Sequence, residues 1–166
     1  LTEIIITEGI LGKSGATAFL AFEKCQPKAG DVVLVTAAAG AVGNVVGQLA
    51  KLRKCIVIGI VGTEQKEKWC KEELAFDHVI NYASENFQEA LDRVAPKGVD
   101  IFFDNVGGDF YHAIVNNHMN TRGRVLICGS IQTYNDINSK YCEWKFFRYQ
   151  CFSIKFRFFF FIFFNQ

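Results

Sequence analysis

Apolar residues in this chain fall into short unbroken runs, each followed by a stretch of helical periodicity. Val32 to Val35, Cys55 to Val61, His78 to Asn81, Val99 to Phe103 and Arg124 to Cys128 carry the runs. They are rich in β-branched residues, are bounded by turn residues and lack a period of two, the pattern of strands buried on both faces. Between them, Val42, Val45, Val46, Leu49, Ala50 and Leu52 recur at helical spacing. Glu64 to about Leu74 reads as a second helix with Trp69 on one face. Ser84 to Ala95 reads as a third, capped by Ser84 with Phe87, Leu91 and Val94 inward, and Phe110 to Met119 as a fourth. Upstream, a helix opened by Ser14 or Thr17 would turn Ala16, Phe19, Leu20 and Phe22 toward a core and end near Cys25, before Pro27.

Strands alternating with helices predict an α/β fold with a doubly wound parallel sheet, Rossmann-like, with its ligand at the carboxyl ends of the strands. The first strand and helix carry the sharpest signal. Ala37-Ala38-Ala39-Gly40-Ala41-Val42-Gly43 joins them as A-x-G-x-x-G, with alanine in place of the first glycine. Gly40 would let the backbone approach a pyrophosphate, and Gly43 would let the helix pack close on its strand. The amides of the helix's first turn then face an anion.

Composition narrows the class. Half of the 166 residues are hydrophobic, enough for a core, and 18 basic residues against 17 acidic ones leave no basic block for nucleic acid. Cys25, Cys55, Cys70, Cys128, Cys142 and Cys151 show neither a C-x-x-C pair nor metal-ligand spacing, so they are expected to be free thiols, with no metal bound. With no secretory signal and no membrane-spanning run, a cytoplasmic location is expected. The chain opens without Met and passes at once into Ile4-Ile5-Ile6, which reads as part of a longer polypeptide. Residues 1–29 are expected to be a lead-in with one helix, 30–135 the nucleotide-binding unit, and 136–166 an atypical aromatic-rich tail. That tail, ending FRFFFFIFFNQ, reads either as a sixth strand near Phe152 to Phe164 or as an aggregation-prone stretch.

Candidate site residues follow the strands. In NAD-binding folds an acid closes the second strand and holds the ribose hydroxyls, whereas here the strand ends Gly59-Ile60-Val61-Gly62-Thr63. Lys66 lies just beyond, placed to meet a 2′-phosphate, which favours NADP over NAD; a solvated helix lysine is the plainer alternative. Glu64 would oppose that phosphate if it pointed inward. The same missing acid argues against a methyltransferase. Asp104-Asn105-Val106-Gly107-Gly108 ends the fourth strand, either beside a nicotinamide or as a tight turn. Cys128-Gly129-Ser130 ends the fifth, and Tyr82 and Tyr134 follow strands where a phenol reaches a phosphate or ribose. Asp100 precedes a strand and should lie at the far end of the sheet.

AAAGAVGNVVGQLAKL, GIVGTEQK, FDHVINY, FDNVGGDFY and GRVLICGSIQTYN together resemble the zinc-independent medium-chain dehydrogenase/reductases, in their prostaglandin reductase and alkenal reductase branch. The likeness runs from about Gly9 to Asn135. It implies NADP(H) with its pyrophosphate at Gly40, Ala41, Val42 and Gly43, and its adenosine phosphate at Lys66 and Tyr82. It also implies the nicotinamide near Asn105 and the loop of Cys128, Gly129, Ser130, Ile131, Gln132, Thr133 and Tyr134. The implied reaction is NADPH-dependent reduction of the α,β double bond of a small enone or alkenal. This chain would be the nucleotide-binding half of a two-domain reductase, truncated or variant after Asn135 and incomplete for catalysis alone. A homodimer, with no nucleic-acid or membrane partner, is the implied assembly. A non-catalytic NADP-binding fragment and a quinone reductase of the same superfamily are the alternative readings.

Overall fold

The computed structural model describes residues 10–129 and 157–160. Eleven elements follow one another along the described residues: α1 (Lys13–Lys24), β1 (Val32–Val35), α2 (Gly43–Leu52), β2 (Ile56–Val61), α3 (Glu64–Glu72), β3 (His78–Asn81), α4 (Phe87–Val94), β4 (Val99–Asp104), α5 (Gly108–Asn117), β5 (Met119–Ile127) and β6 (Arg157–Phe160). The strands form one sheet in the order β3-β2-β1-β4-β5-β6, with every pairing parallel. The expected doubly wound sheet is therefore present, and its topological switch point lies between β1 and β4.

Two hydrophobic layers sandwich the sheet, which explains why the runs showed no period of two. Val33, Val35, Ile101 and Phe103 face α1, α2 and Phe76, while Leu34, Ile58, Ile60 and Phe102 face α4 and α5. Successive side chains do alternate between faces, but both destinations are apolar. Small residues set how closely the first layer packs. A Cβ on Gly47 would lie 1.9 Å from the Phe76 ring, and one on Gly59 would lie 2.9 Å from it. Phe76 thus fills the space between α2 and β2 that those two glycines leave.

Several local expectations are corrected. Gly12, not Ser14 or Thr17, stands at the N-cap of α1, and Thr17 instead donates to the Lys13 carbonyl within the helix at 2.6 Å. The buried face of α1 is Gly15, Thr17, Ala18, Ala21 and Phe22, leaving Ala16, Phe19 and Leu20 exposed. Apolar residues occur on both sides of that helix, so periodicity alone did not select the inner one. Asn86, not Ser84, caps α4: its side chain accepts from the Gln88 and Glu89 N–H groups, and Ser84 Oγ turns back to donate to the Asn81 carbonyl. α5 begins and ends two residues earlier than expected, because Gly107 and Gly108 at positive φ let the chain enter the helix directly from the β4 turn. β5 reaches back to Met119 through an irregular register between Val99 and Ile101. Of the two readings of the tail, a strand is what Arg157–Phe160 forms, paired to Arg124–Ile127. Among the described residues no helix is long and apolar enough to cross a membrane.

Candidate nucleotide-binding site

β1 delivers the chain to Thr36 at the switch point, and the turn that follows is left-handed at Ala37, with φ +49°. An alanine in that conformation costs about 1 kcal/mol, a strain the hydrogen bond from Gly40 N–H to the Ala37 carbonyl, 2.8 Å, helps to hold. Gly43 opens α2 against this turn. A Cβ there would lie 2.4 Å from the Ala37 carbonyl oxygen, so close packing of helix on strand requires glycine. The N-cap, Val42, offers no side-chain hydrogen bond, and the first turn of α2 carries no acidic residue. By contrast, Thr63 and Asn86 cap α3 and α4 with their side chains, and both helices have acids in the first turn. α2 alone of these three presents its positive end bare.

In front of this turn lies a cleft of about 160 Å³ lined by Thr36, Ala37, Ala39, Gly40, Ile60, Val61, Gly62, Lys66, Tyr82, Val106 and Phe110. That is below the ~300–1,000 Å³ of a pocket enclosing a whole drug-sized ligand. Its size matches one part of a dinucleotide rather than the whole. Lys66 is the one charged residue in the lining. Its N–H is held by Thr63 Oγ1 at 3.3 Å. Glu64 is exposed and lies outside the cleft wall.

Behind the cleft, β1 and β4 are tied by a buried polar network. The Thr36 hydroxyl donates to Asp104 Oδ1 at 2.8 Å and accepts from the Asn105 N–H at 2.8 Å, while Asn105 Nδ2 donates to the Thr36 carbonyl at 2.7 Å. Asp104 also accepts from the Val106 N–H at 3.0 Å and the Gly107 N–H at 3.1 Å. Burial pushes the Asp104 carboxyl above the usual carboxylate range, against the pull of Gly107, Val106 and Thr36. Cys128 N–H reaches the Asp104 carbonyl at 2.8 Å. Burial, with the Asp104 charge adding to it, pushes the Cys128 thiol up to about 11, so it is protonated at neutral pH and no nucleophile.

The structure thus brings Gly40, Lys66 and Tyr82 together in the cleft wall. Ala41, Val42 and Gly43 form the adjoining helix start, and Asn105, Cys128 and Gly129 stand behind at the tips of β4 and β5. Ser130, Ile131, Gln132, Thr133 and Tyr134 lie outside the described residues. Thr36, Ile60, Val61 and Phe110 escaped the sequence reading. Thr36 could have been suspected as the polar residue ending an apolar run, but Phe110 gave no local signal. Among the described residues no group of three His, Cys, Asp or Glu could hold a metal ion.

Strand order, switch-point cleft and bare glycine helix together define a parallel α/β protein of the dinucleotide-binding class. The chain belongs to the zinc-binding dehydrogenase family, whose profile matches residues 41–151. It is 46% identical over 129 residues to (+)-pulegone reductase of Mentha piperita, covering 76% of this chain and 37% of that protein. It is 46% identical over 132 residues to prostaglandin reductase 1 of Sus scrofa, covering 78% of this chain and 40% of that protein. Among solved structures, CurA from Vibrio vulnificus in complex with NADPH superposes with a TM-score of 0.84 at 37% identity, over 95% of this chain and 48% of that one. The chain therefore spans about two fifths of the length of the curated relatives it matches, and the resemblance read from the sequence is borne out at the family level.

Proposed function

We propose that this chain is the NADPH-holding part of an oxidoreductase that reduces the α,β double bond of enones or alkenals. The observation that carries the reading is the pairing of a bare helix start with one cation in an otherwise uncharged cleft. Gly40 to Gly43 would take the pyrophosphate on backbone amides, and Lys66 with the Tyr82 phenol would take the adenosine 2′-phosphate. Asn105, Cys128 and Gly129, with the residues that follow them, would form the nicotinamide side. The named relatives, a pulegone reductase and a prostaglandin reductase, and the NADPH in the CurA complex support both cofactor and substrate class.

When bound, NADPH supplies the hydride for the β-carbon of the unsaturated carbonyl compound. The chain's own residues bind and orient. The Thr36–Asp104–Asn105 network fixes the floor of the cleft, and the apolar walls of Ile60, Val61, Val106 and Phe110 exclude water from one side. The protonated Cys128 thiol takes no part as a base.

Thermal melting and tryptophan fluorescence with each dinucleotide test the reading, since Trp69 shares a surface groove with Lys66. NADPH is expected to raise the melting temperature more than NADH, and Lys66→Ala to weaken NADPH at least about tenfold while leaving NADH unchanged, the loss of one charge-assisted contact. Equal responses to both dinucleotides would remove Lys66 from the account. Consumption of NADPH with a 2-alkenal would extend the reading to catalysis by this chain, while consumption with a quinone alone would replace the substrate class.

A further inference from the structure

Tyr82 is half exposed, yet its ring is held from two sides. Phe110 meets it edge-on, with centroids 5.2 Å apart and planes at 60°, and Phe87 meets Phe110 in turn at 5.0 Å and 71°. Both phenylalanines are partly buried against the core layer beneath α4 and α5, so the brace has a fixed base. On its other side the phenol presses onto the turn after β2. A Cβ on Gly62 would lie 2.4 Å from the Tyr82 hydroxyl oxygen, so the ring crosses that turn only because Gly62 has no side chain.

The brace also joins the two halves of the sheet. Tyr82 follows β3, on one side of the switch point, and Phe110 sits in α5 after β4, on the other. Gly62, Lys66, Tyr82 and Phe110 share one cleft wall, which places the phenol in the same small space as the single cation. A hydroxyl donor and an ammonium able to meet in one space recognise a phosphate monoester much better than a neutral ribose hydroxyl. Free rotation of an unbraced tyrosine would leave that pairing unformed for much of the time.

We infer that Phe110 is a specificity-determining positioning residue: through its edge contact it holds the Tyr82 phenol across Gly62, beside Lys66, and so sets the preference for the phosphorylated dinucleotide. This rests on the reading of the cleft as an NADPH site. As part of the cleft wall Phe110 serves both dinucleotides alike; its effect on the ratio between them runs through Tyr82.

Calorimetric affinities of the full chain for NADPH and NADH test it. In the unaltered chain NADPH binds tighter; if neither dinucleotide binds, or both bind equally, the underlying reading fails before the inference is reached. Phe110→Ala is expected to lower the NADPH:NADH affinity ratio about fivefold, within the worth of an aromatic pair. Phe110→Leu, which keeps apolar volume without the ring edge, lowers it in the same direction and guards against loss of folding. Gly62→Ala, which pushes the phenol away by a different route, is expected to reduce the ratio too. In a Tyr82→Phe background the effect of Phe110→Ala shrinks to within about twofold, because the two residues act as one unit. A chain that discriminates while its folded Phe110→Ala and Phe110→Leu variants keep the full ratio would overturn the inference and leave the reading standing. So would an undiminished Phe110→Ala effect in the Tyr82→Phe background.

Discussion

The two ends of the parallel sheet use their charges in opposite ways. At the amino end, carboxylates bond to the backbone where strands begin. Asp100 Oδ2 accepts from the Val32 N–H at 2.9 Å and its Oδ1 from Asn120 Nδ2 at 2.9 Å. Asp77 accepts from the Val57 N–H at 2.7 Å and pairs with Lys51 at 2.7 Å. Asp31 pairs with Arg124, whose Nε reaches the Cys25 carbonyl at 3.0 Å, tying α1, β1 and β5. At the carboxyl end the switch-point carboxylate, Asp104, is fully buried, leaving the cleft with no acid in its lining and one cation. A parallel sheet leaves strand starts needing acceptors at one end and helix starts offering donors at the other. Acids at the first end stabilise the fold. Keeping them off the start of α2 and out of the cleft lining leaves those donors for an anion.

Three substitutions would break or sharpen that contrast. The largest effect is expected for Asp104→Ala, which strands the Thr36 hydroxyl and the Val106 and Gly107 N–H groups without their acceptor. Loss of about 3 kcal/mol or more in denaturant unfolding would follow. A loss under about 1 kcal/mol would show that water replaces the carboxylate, and that the cleft floor is not built on it.

Asp77→Asn should have a smaller effect, and one that depends on pH. Burial raises the Asp77 carboxyl, but the Lys51 hydrogen bond and the Val57 N–H outweigh it and hold the group below its ordinary range. Its stabilisation is therefore complete above pH ~4 and disappears as pH falls through the lowered folded value. Because the pair is one-third exposed, the variant should lose only about 1 kcal/mol at neutral pH. The gap to the parent protein should close on acidification. A gap that widened in acid would contradict the role given to this end of the sheet.

Ala37→Gly should act least and in the opposite direction. Glycine accepts the left-handed turn without strain, so a gain of about 0.5 kcal/mol in thermal unfolding is expected. A loss would mean that the turn is held by packing of the alanine methyl group.

The chain disclosed most of what is local. β1 and β3 could be read to the residue from apolar runs between turn residues, and the bare glycine turn announced itself because strand, turn and helix are contiguous. Lys66 and Tyr82, which line one cleft, were picked out by position, one just past β2 and the other just past β3. Thr36 and Asp104 meet across 68 residues, and no local pattern carries a contact between strand tips that distant. Phe110 and Phe76 were likewise invisible as functional or packing partners: Phe110 meets Tyr82, whose ring crosses the bare Gly62, and Phe76 fills the room left at Gly47 and Gly59. The buried face of α1 escaped for the opposite reason, since both of its sides carry apolar residues.

The most direct measurement is a two-dimensional amide titration of the chain with NADPH, followed by nuclear magnetic resonance. The account predicts saturable shifts at Gly40 to Gly43, Lys66 and Tyr82, with Val57, Asp77 and Arg124 at the amino end of the sheet unmoved. Shifts centred on the amino end, or none at Gly40 to Gly43 at saturating NADPH, would contradict it.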